Sequence, residues 1–447
     1  TVTDTYGSTG TGSATVLYHP VTNVTQSTTH ATIQDAIDAA TTGDAISVCA
    51  GTYVENIVVN EEVSITGAGQ ASTFILPAVS GPGCTSGGGS ICPGGSNVVL
   101  IQANNVSIQQ LTIDGDNPGL TSGVVVGGAD LDARNGIITD HTMGVYNNLF
   151  VDNVTVKNIF LRGIYASSGG TFTFSNNTVD NVQGDPGSIA MFNFGGAGQF
   201  TGNMVSNAND GIASNWSKGS TYSGNTVTGS GSGIHTDNNG GSGGVGDVIQ
   251  NNTVSNSTAG GYGIWVFAPY VQVQVLENTI NNVDVGLANA GQFAAVTTLF
   301  QRNTVDGMNK PNSTGVYQTT SLFGFGFANV SGLYENNFIQ NNTDAFYPEY
   351  HTGNTNTITA NNNAITGNTN GVTLAPMGGT LVEDFTCNWW GSSSAATVAS
   401  NAAGSANFTS WLINGTDDQP GTPGFQPVAL ACDGTPVMIT SAVQSPQ

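Results

Sequence analysis

Basic residues are scarce in this sequence. It has 6 lysines and arginines against 29 aspartates and glutamates, which gives a formal net charge of −23. This balance excludes nucleic-acid binding, because phosphates need a basic surface, and it disfavours anionic lipid headgroups for the same reason. Charged residues of both signs make up only 8% of the chain, so Asn, Thr, Ser and Gly must cover most of the surface.

Long apolar runs are also missing, since no stretch of about 18 apolar residues, the length that a membrane helix needs, occurs. We therefore expect no membrane insertion. The chain begins with Thr1 and not with Met, which predicts a processed protein that is secreted and lies outside the cell or at its surface. About a dozen Asn-X-Ser/Thr sequons permit glycosylation without demonstrating it.

What is abundant is a short phrase built around asparagine, such as FSNNTVDN, FTGNMVSN and IQNNTVSN. Its anchoring residues are spaced 22 to 34 residues apart: Asn177, Asn203, Asn225, Asn252, Asn278, Asn303, Asn337 and Asn363. Each is followed two positions later by Val or Ile, and most units then turn through Gly into a second apolar segment. Self-similarity at such a period is typical of a solenoid.

The composition of each unit predicts strands, because short β-branched runs alternate with Gly, Asn and Asp and no helical periodicity is present. About 25 residues fit three short strands and three turns, and rungs stacked about 4.8 Å apart form parallel sheets. Like residues then lie above like residues. An inward column of asparagines can hydrogen-bond from rung to rung, so we assign these eight residues a structural role and no chemistry.

This pattern resembles the right-handed parallel β-helix superfamily, which includes pectate lyases, polygalacturonases and pectin methylesterases. Residues 32–70 look like the usual start of such proteins, with Thr32 as the N-cap of a helix and Asp35 at the capping-box position. One apolar face of this helix would cover the first rung: Ile33, Ala36, Ile37 and Ala40. The segment CNWWGSSSAAT is similar to a terminal segment of secreted β-helix repeat proteins.

The resemblance implies an all-β fold, a single right-handed parallel β-helix solenoid with an N-terminal capping helix and extended terminal segments. Residues 1–30 are predicted to be an N-terminal extension that donates a strand to a neighbouring subunit or folds back on its own solenoid. Residues 31–415 are predicted to form the β-helix. Residues 416–447 are predicted to be a C-terminal tail tied down by a disulfide.

The five cysteines support export. Cys84 and Cys92 bracket a Gly/Ser loop and are predicted to close a short ring. Cys387 and Cys432 flank the C-terminal segment and are predicted to tie it to the last rung. Cys49 lies in the apolar stretch AISVCAG and is predicted to be a buried free thiol. The spacings match no zinc pattern.

Catalytic signatures of the superfamily are largely missing. A pectate lyase needs an arginine base beside calcium-binding aspartates, which leaves Arg162, with Asp185 and Asp210 on later rungs, as a lyase-like alternative. An arginine on a turn is more often only solvated, so we assign no catalytic residue. Residues 114–117 resemble a calcium loop only loosely, because Pro118 interrupts the pattern, and a tight turn is the better interpretation.

An outward column of aromatic side chains follows the inward apolar column, because alternate strand residues face opposite sides. Its members are His235, Trp265, Tyr317 and Tyr347. A contiguous outward stripe of this kind indicates contact with a second subunit or with a sugar chain, unless inserted loops cover it. Asp237 and Glu349 lie two positions further along but four rungs apart, too far for the carboxyl pair of a glycosidase, about 5 to 9.5 Å.

With no catalytic cluster, the sequence favours a non-catalytic, extracellular structural protein that builds a filament, surface layer or matrix by self-assembly, as a homo-oligomer or homopolymer. The alternatives are an enzyme that acts on polysaccharides, a lyase or a hydrolase, and a carbohydrate-binding adhesin. Both alternatives imply an extracellular polysaccharide as the partner. No cofactor is expected, the identity of any metal is unknown, and divalent cations, calcium among them, stay open.

Overall fold

The structure is a computed structural model that describes residues 2–3, 9–10, 20–429 and 432–434. These residues form a right-handed β-solenoid of about 13 turns, as predicted. Two sheets run along the coil. Apart from Val21–Asn23 at the start, the strands of these two sheets pair in parallel from rung to rung, and most turns contribute two strands to the larger sheet and one to the smaller.

The larger sheet, called here the broad sheet, contains 24 strands of the described chain. They are Gly51–Val54, Ile57–Val59, Thr73–Leu76, Asn97–Ile101, Thr112–Asp114, Ala133–Thr139, Thr155–Ala166, Thr178–Val182, Ile189–Phe194, Met204–Ala208, Asp210–Asn215, Thr226–Thr228, Ser232–Asp237, Thr253–Ser255, Tyr262–Phe267, Thr279–Asn281, Val285–Asn289, Thr304–Asp306, Thr314–Thr319, Phe338–Gln340, Asp344–His351, Ala364–Thr366, Asn370–Val372 and Ala375–Met377.

The second sheet, called the narrow sheet, contains 15 strands of the described chain. They are Val21–Asn23, Thr28–His30, Asp44–Val48, Val63–Gly67, Ser107–Gln109, Leu149–Asp152, Thr171–Ser175, Ala197–Thr201, Ser220–Ser223, Val248–Gln250, Gln274–Leu276, Thr298–Gln301, Val330–Glu335, Thr355–Asn361 and Thr380–Asp384. Three two-stranded pairs complete the strands: Val2–Thr3 with Thr9–Gly10, Val125–Val126 with Ala129–Asp130, and Trp411–Leu412 with Cys432–Gly434.

The core consists of columns in which similar apolar side chains stack from rung to rung. On the broad sheet, Val205 pairs with Val179 below it and Val227 above it, and all three are buried. On the narrow sheet, Phe200 lies between Phe174 and Tyr222 in the same way. The apolar columns of the two sheets face each other across the interior, so each rung buries its hydrophobic face only by stacking on its neighbours.

The asparagines at the repeated turn form a continuous hydrogen-bonded ladder. The side chain of Asn225 donates from Nδ2 to Asn252 Oδ1 at 2.8 Å and to the carbonyl of Phe200 at 2.9 Å. The same Asn252 oxygen accepts the backbone N–H of Asn225 at 3.0 Å. This arrangement repeats from Asn177 and ends on Asn388, one rung beyond the eight asparagines of the sequence pattern.

A helix, Ile33–Asp38, covers the open end of the first rung and buries Ile33, Ala36 and Ile37. The hydroxyl of Thr32 accepts the N–H of Asp35 at 3.0 Å, which is the expected N-cap. The carboxylate of Glu55 adds a second cap, because its oxygens accept the N–H groups of Ile33 and Gln34. The second helix, Ala395–Asn401, lies near the other end of the coil and buries Val398.

The described parts of both terminal segments pack on their own chain. Strand Val21–Asn23 runs antiparallel to Asp44–Val48, so residues 20–30 fold back on the first rung, and most of residues 1–19 lie outside the described residues. In the C-terminal segment, Phe425 is buried, and its backbone N–H and carbonyl both bond to Asn336. Residues 20–30 and the segment around Phe425 therefore fold back on their own solenoid.

Both predicted disulfides are confirmed. Cys84 bonds to Cys92, and Cys387 bonds to Cys432. Cys49 is a free cysteine, as predicted, but the prediction that it is buried is wrong, because its side chain is exposed. Strand Asp44–Val48 buries every second residue and ends on the buried Val48, so the next side chain faces outward.

Candidate functional site

The candidate site lies on the outer face of the broad sheet, where three neighbouring strands place polar and aromatic side chains in register. These strands are Asp210–Asn215, Ser232–Asp237 and Tyr262–Phe267. His235 pairs with Trp265 on the next rung, and Asp237 pairs with Phe267. Asp210 is the first residue of strand Asp210–Asn215, which lies one rung before the strand of His235. The parallel register therefore brings together residues that are 25 or more positions apart in the sequence.

His235 lies between two carboxylates. Its Nδ1 is 3.8 Å from Asp210 Oδ2, and its Nε2 is 3.5 Å from Asp237 Oδ2. The imidazole is buried, with only 6% of the residue exposed. The aspartate side chains remain 27% and 21% exposed, so solvent or a substrate reaches them while the ring between them is covered.

The electrostatics of this cluster favour a charged imidazole. Burial alone would lower the pKa of His235, but the carboxylates of Asp237 and Asp210 outweigh it and raise the pKa to about 9. The ring is therefore an imidazolium at neutral pH. A buried cation between two accessible anions fixes both carboxylates on one small patch of the surface.

Three buried polar atoms in this patch have no hydrogen-bond partner among the described residues: His235 Nδ1, Asp237 Oδ1 and Trp265 Nε1. Buried polar groups in proteins are nearly always paired. Three unpaired groups on two adjacent rungs are therefore unusual for a purely structural patch. Because these atoms lie below the surface, ordered water can pair with them, and a ligand can do so where its binding moves the side chains that cover them.

An aromatic wall borders the carboxylates on one side. The Trp265 ring lies 5.1 Å from Tyr262, 5.4 Å from Phe267 and 5.5 Å from Phe323, measured between centroids. Phe323 comes from the loop of residues 320–329, which the chain inserts between two strands. The sequence predicts that His235 and Trp265 belong to an open aromatic stripe. In the structure the stripe is not open at these two residues, because His235 is buried and the loop packs Phe323 on Trp265.

Tyr317 and Tyr347 belong to a separate group, because Ala288 occupies the rung between Trp265 and Tyr317. The two tyrosine rings lie 5.9 Å apart. Glu349 accepts hydrogen bonds from Thr319 Oγ1 at 2.7 Å and from the Tyr317 hydroxyl at 3.3 Å. Burial raises the pKa of the Tyr317 hydroxyl. In this second group the Tyr317 hydroxyl and the Glu349 carboxylate are hydrogen-bonded, and the group continues the same outer face.

The lyase-like alternative of the sequence, Arg162 with Asp185 and Asp210, is not joined by ion pairs in the described chain. Arg162 is two rungs from Asp210. Its Nε donates to Ser90 Oγ at 3.2 Å, and its guanidinium lies 5.1 Å from the centre of the Phe192 ring. Within the described residues, no ion pair joins Arg162 to Asp185 or Asp210. Arg162 and Asp185 line one open groove of about 540 Å³.

The described residues contain no cluster of three or more His, Cys, Asp or Glu that could hold a metal ion. At the loose calcium-loop match, Asp114 forms an ion pair with Lys157 at 2.8 Å and accepts the side-chain amide of Asn158. These contacts agree with the interpretation of a tight turn. Nor do the described residues include a helix long and apolar enough to cross a membrane.

Comparison with known proteins confirms the fold. A family model described as "Right handed beta helix region" matches residues 135–305. No curated protein matches this chain. The similar solved structures include an exopolygalacturonase of family 28 from Yersinia enterocolitica, with 11% identity, a TM-score of 0.49, and coverage of 79% of this chain and 74% of the enzyme.

Two further similar structures have lower TM-scores. The A-module of a mannuronan C-5 epimerase from Azotobacter vinelandii has 16% identity and a TM-score of 0.43, with coverage of 78% of this chain and 91% of the module. A pectin methylesterase in complex with a hexasaccharide has 18% identity and a TM-score of 0.37, with coverage of 60% and 79%. At these identities the likeness concerns the fold.

The prediction of a structural protein that self-assembles is contradicted by these comparisons, since the similar structures are enzymes that act on polysaccharides. The observations that motivated it also change in the structure. The aromatic stripe is partly covered by the chain's own loop. The described part of the N-terminal segment pairs with its own first rung.

Proposed function

We propose that this protein is an enzyme that hydrolyses glycosidic bonds in a polysaccharide, and that Asp210 and Asp237 are its catalytic carboxylates. The observation that carries this proposal is the pair of accessible carboxylates on one buried imidazolium. Because the two oxygens lie 3.8 and 3.5 Å from nitrogens of the same ring, their separation stays within the upper limit of about 9.5 Å known for glycosidases.

The chemistry follows from this geometry. In a glycosidase, one carboxyl group gives its proton to the oxygen of the departing sugar, and the other activates water or attacks the anomeric carbon. Water is consumed and one new reducing end forms. His235 is a positioning residue in this scheme, because its ring is buried and its charge holds the carboxylates on either side of it.

The surroundings support a sugar polymer as the substrate. The broad sheet extends over many rungs, and aromatic side chains flank the carboxylates on the side of Trp265. Aromatic faces supply apolar contact area for sugar rings. We further propose an extracellular location, because the two disulfides of the described chain form and persist in an oxidising compartment.

The test is an assay for new reducing ends on a panel of neutral and acidic polysaccharides. We expect cleavage of at least one polymer, without ultraviolet-absorbing unsaturated products, and its loss in Asp210→Asn. Unsaturated products that disappear in Arg162→Ala would replace hydrolysis by the lyase reaction. Absence of cleavage across the panel, with binding retained, would leave a carbohydrate-binding protein and would refute the catalytic assignment.

A further inference from the structure

An aromatic pocket opens beside the proposed catalytic carboxylates. Its volume is about 290 Å³, and its lining residues are Trp216, Asn238, Phe267, Tyr270, Phe293 and Phe325. The Tyr270 ring lies 6.0 Å from that of Trp216 and 5.1 Å from that of Phe293, measured between centroids. Five aromatic side chains with one amide form the pattern of a ligand site, in which apolar walls bind and a few polar groups orient.

The inserted loop contributes the most exposed aromatic side chain of this pocket. Phe325 is 82% exposed. Its neighbours in the sequence anchor the loop on both sides, because Phe323 packs on Trp265 and Phe327 stacks on His351 at 4.2 Å. Gly324 and Gly326 adopt φ angles of +101° and +110°, which side chains rarely adopt. The backbone is therefore shaped to present Phe325 outward between two anchors.

The pocket is continuous with the catalytic patch. Phe267 pairs directly with Asp237 on the neighbouring rung, and Asn238 follows Asp237 in the chain. Phe323 contacts Phe267 at 6.0 Å, so the wall around Trp265 leads into the pocket without interruption. A polymer bound at Asp210 and Asp237 would place a neighbouring sugar residue here. At about 290 Å³ the pocket is at the small end of ligand sites, which suits one sugar ring.

The charge of the molecule narrows the class of sugar. No charged residue lines this pocket, and the chain has a net charge of −23. A polyanion would meet repulsion and no compensating cation there. We propose that the pocket is a binding subsite for a neutral sugar residue of the polysaccharide whose cleavage is proposed above, with the ring stacked on the aromatic walls. This inference rests on the proposed function for the identity of the polymer.

The test separates binding from cleavage. Retention of the full chain is measured by electrophoresis in gels that contain a soluble neutral polysaccharide (a glucan, a xylan or a galactomannan) or polygalacturonate. Asp237→Asn is the parent, so that no polymer is cut during the run. We expect retention by at least one neutral polymer and none by polygalacturonate. Phe325→Ala and Tyr270→Ala should each weaken retention about tenfold.

The control is Phe150→Ala, which removes a half-buried phenyl ring from strand Leu149–Asp152 of the narrow sheet, away from the pocket. Retention should not change in this variant. Equal retention in Phe325→Ala, Tyr270→Ala and the parent would overturn the subsite, as would retention by polygalacturonate alone or by no polymer. Retention that depends on Phe325, combined with no cleavage by the unmodified protein, would support the subsite and refute the hydrolase.

Discussion

The asparagine ladder and the carboxylate site are both columns of polar side chains on a parallel solenoid, but they use their hydrogen-bonding groups differently. In the ladder, Asn252 donates to Tyr222 and Asn278 and accepts two bonds from Asn225. In the carboxylate site, three buried atoms of His235, Asp237 and Trp265 have no partner among the described residues. The ladder also repeats on successive rungs, whereas an imidazole between two aspartates occurs once in the described part of the chain.

This difference separates a structural role from a binding role. A buried amide that bonds to its own column lowers the free energy of the fold and leaves nothing for a ligand. Buried polar atoms that lack a hydrogen-bond partner cost folding free energy, and titratable groups with strongly perturbed pKa values cluster at functional sites. Four substitutions, from the largest expected effect to the smallest, test whether the two columns differ in this way.

Asp237→Asn should reduce kcat/KM for the cleaved polysaccharide about 10³-fold, equivalent to about 4 kcal/mol of transition-state stabilisation, because the amide cannot exchange a proton with the substrate or water. The control is Asp180→Asn, a half-buried carboxylate that accepts hydrogen bonds from Ser206 and Asn207 outside the site. Its activity should be unchanged. Equal activity in both variants would remove Asp237 from the catalytic machinery.

Asn252→Ala should lower the free energy of unfolding by about 3 kcal/mol, because the carbonyl of Tyr222 and the N–H of Asn225 lose their buried partner. The folded fraction should keep its activity. Chemical denaturation gives the stability, and Asn60→Ala, at an exposed position, is the control with little expected change. A stable Asn252→Ala variant with lost activity would reverse the roles of the two columns.

The sequence predicts most of the fold, because each rung repeats the same physical information. Asn203 and Val205 occupy the same places in their unit as Asn225 and Val227 in the next, and the register joins them as expected. The end cap was also predictable, since Thr32 and the apolar helix face follow local rules. The exposure of Cys49 follows from strand alternation as well, although its apolar neighbours in the sequence favour burial.

The site was less predictable, because it depends on contacts between distant segments. Asp210 and Asp237 can be placed on their columns from the sequence, but only the register of neighbouring rungs puts His235 between them. The burial of this ring depends on surroundings that no repeat specifies. The loop of residues 320–329 falls in the longest unit, the 34 residues from Asn303 to Asn337. That spacing predicts an insertion but not its packing on Trp265.

Stability should depend on the protonation of His235. The folded-state pKa of about 9 lies above the unfolded value of about 6.5. The stabilisation of the folded state by protonated His235 is therefore fully present below about pH 6.5 and is lost as the pH rises through about 9. Relative to His235→Gln, the protein should be more stable by about 2 kcal/mol at pH 6, and the difference should shrink by pH 10. A difference that stays constant with pH would mean a neutral ring.

Trp265→Phe should have the smallest effect. The change keeps an aromatic face but removes an indole N–H that no described residue accepts, so any loss of affinity reports a bond to the sugar. We expect the Kd for the polysaccharide to rise about fivefold, near 1 kcal/mol. Trp390→Phe is the matched control, because it removes another buried, unpaired indole N–H, from a tryptophan that packs on Phe385 outside the site. Its affinity should be unchanged. An equal rise in Kd in both variants would show that the unpaired groups beside His235 are no different from an unpaired group in the core.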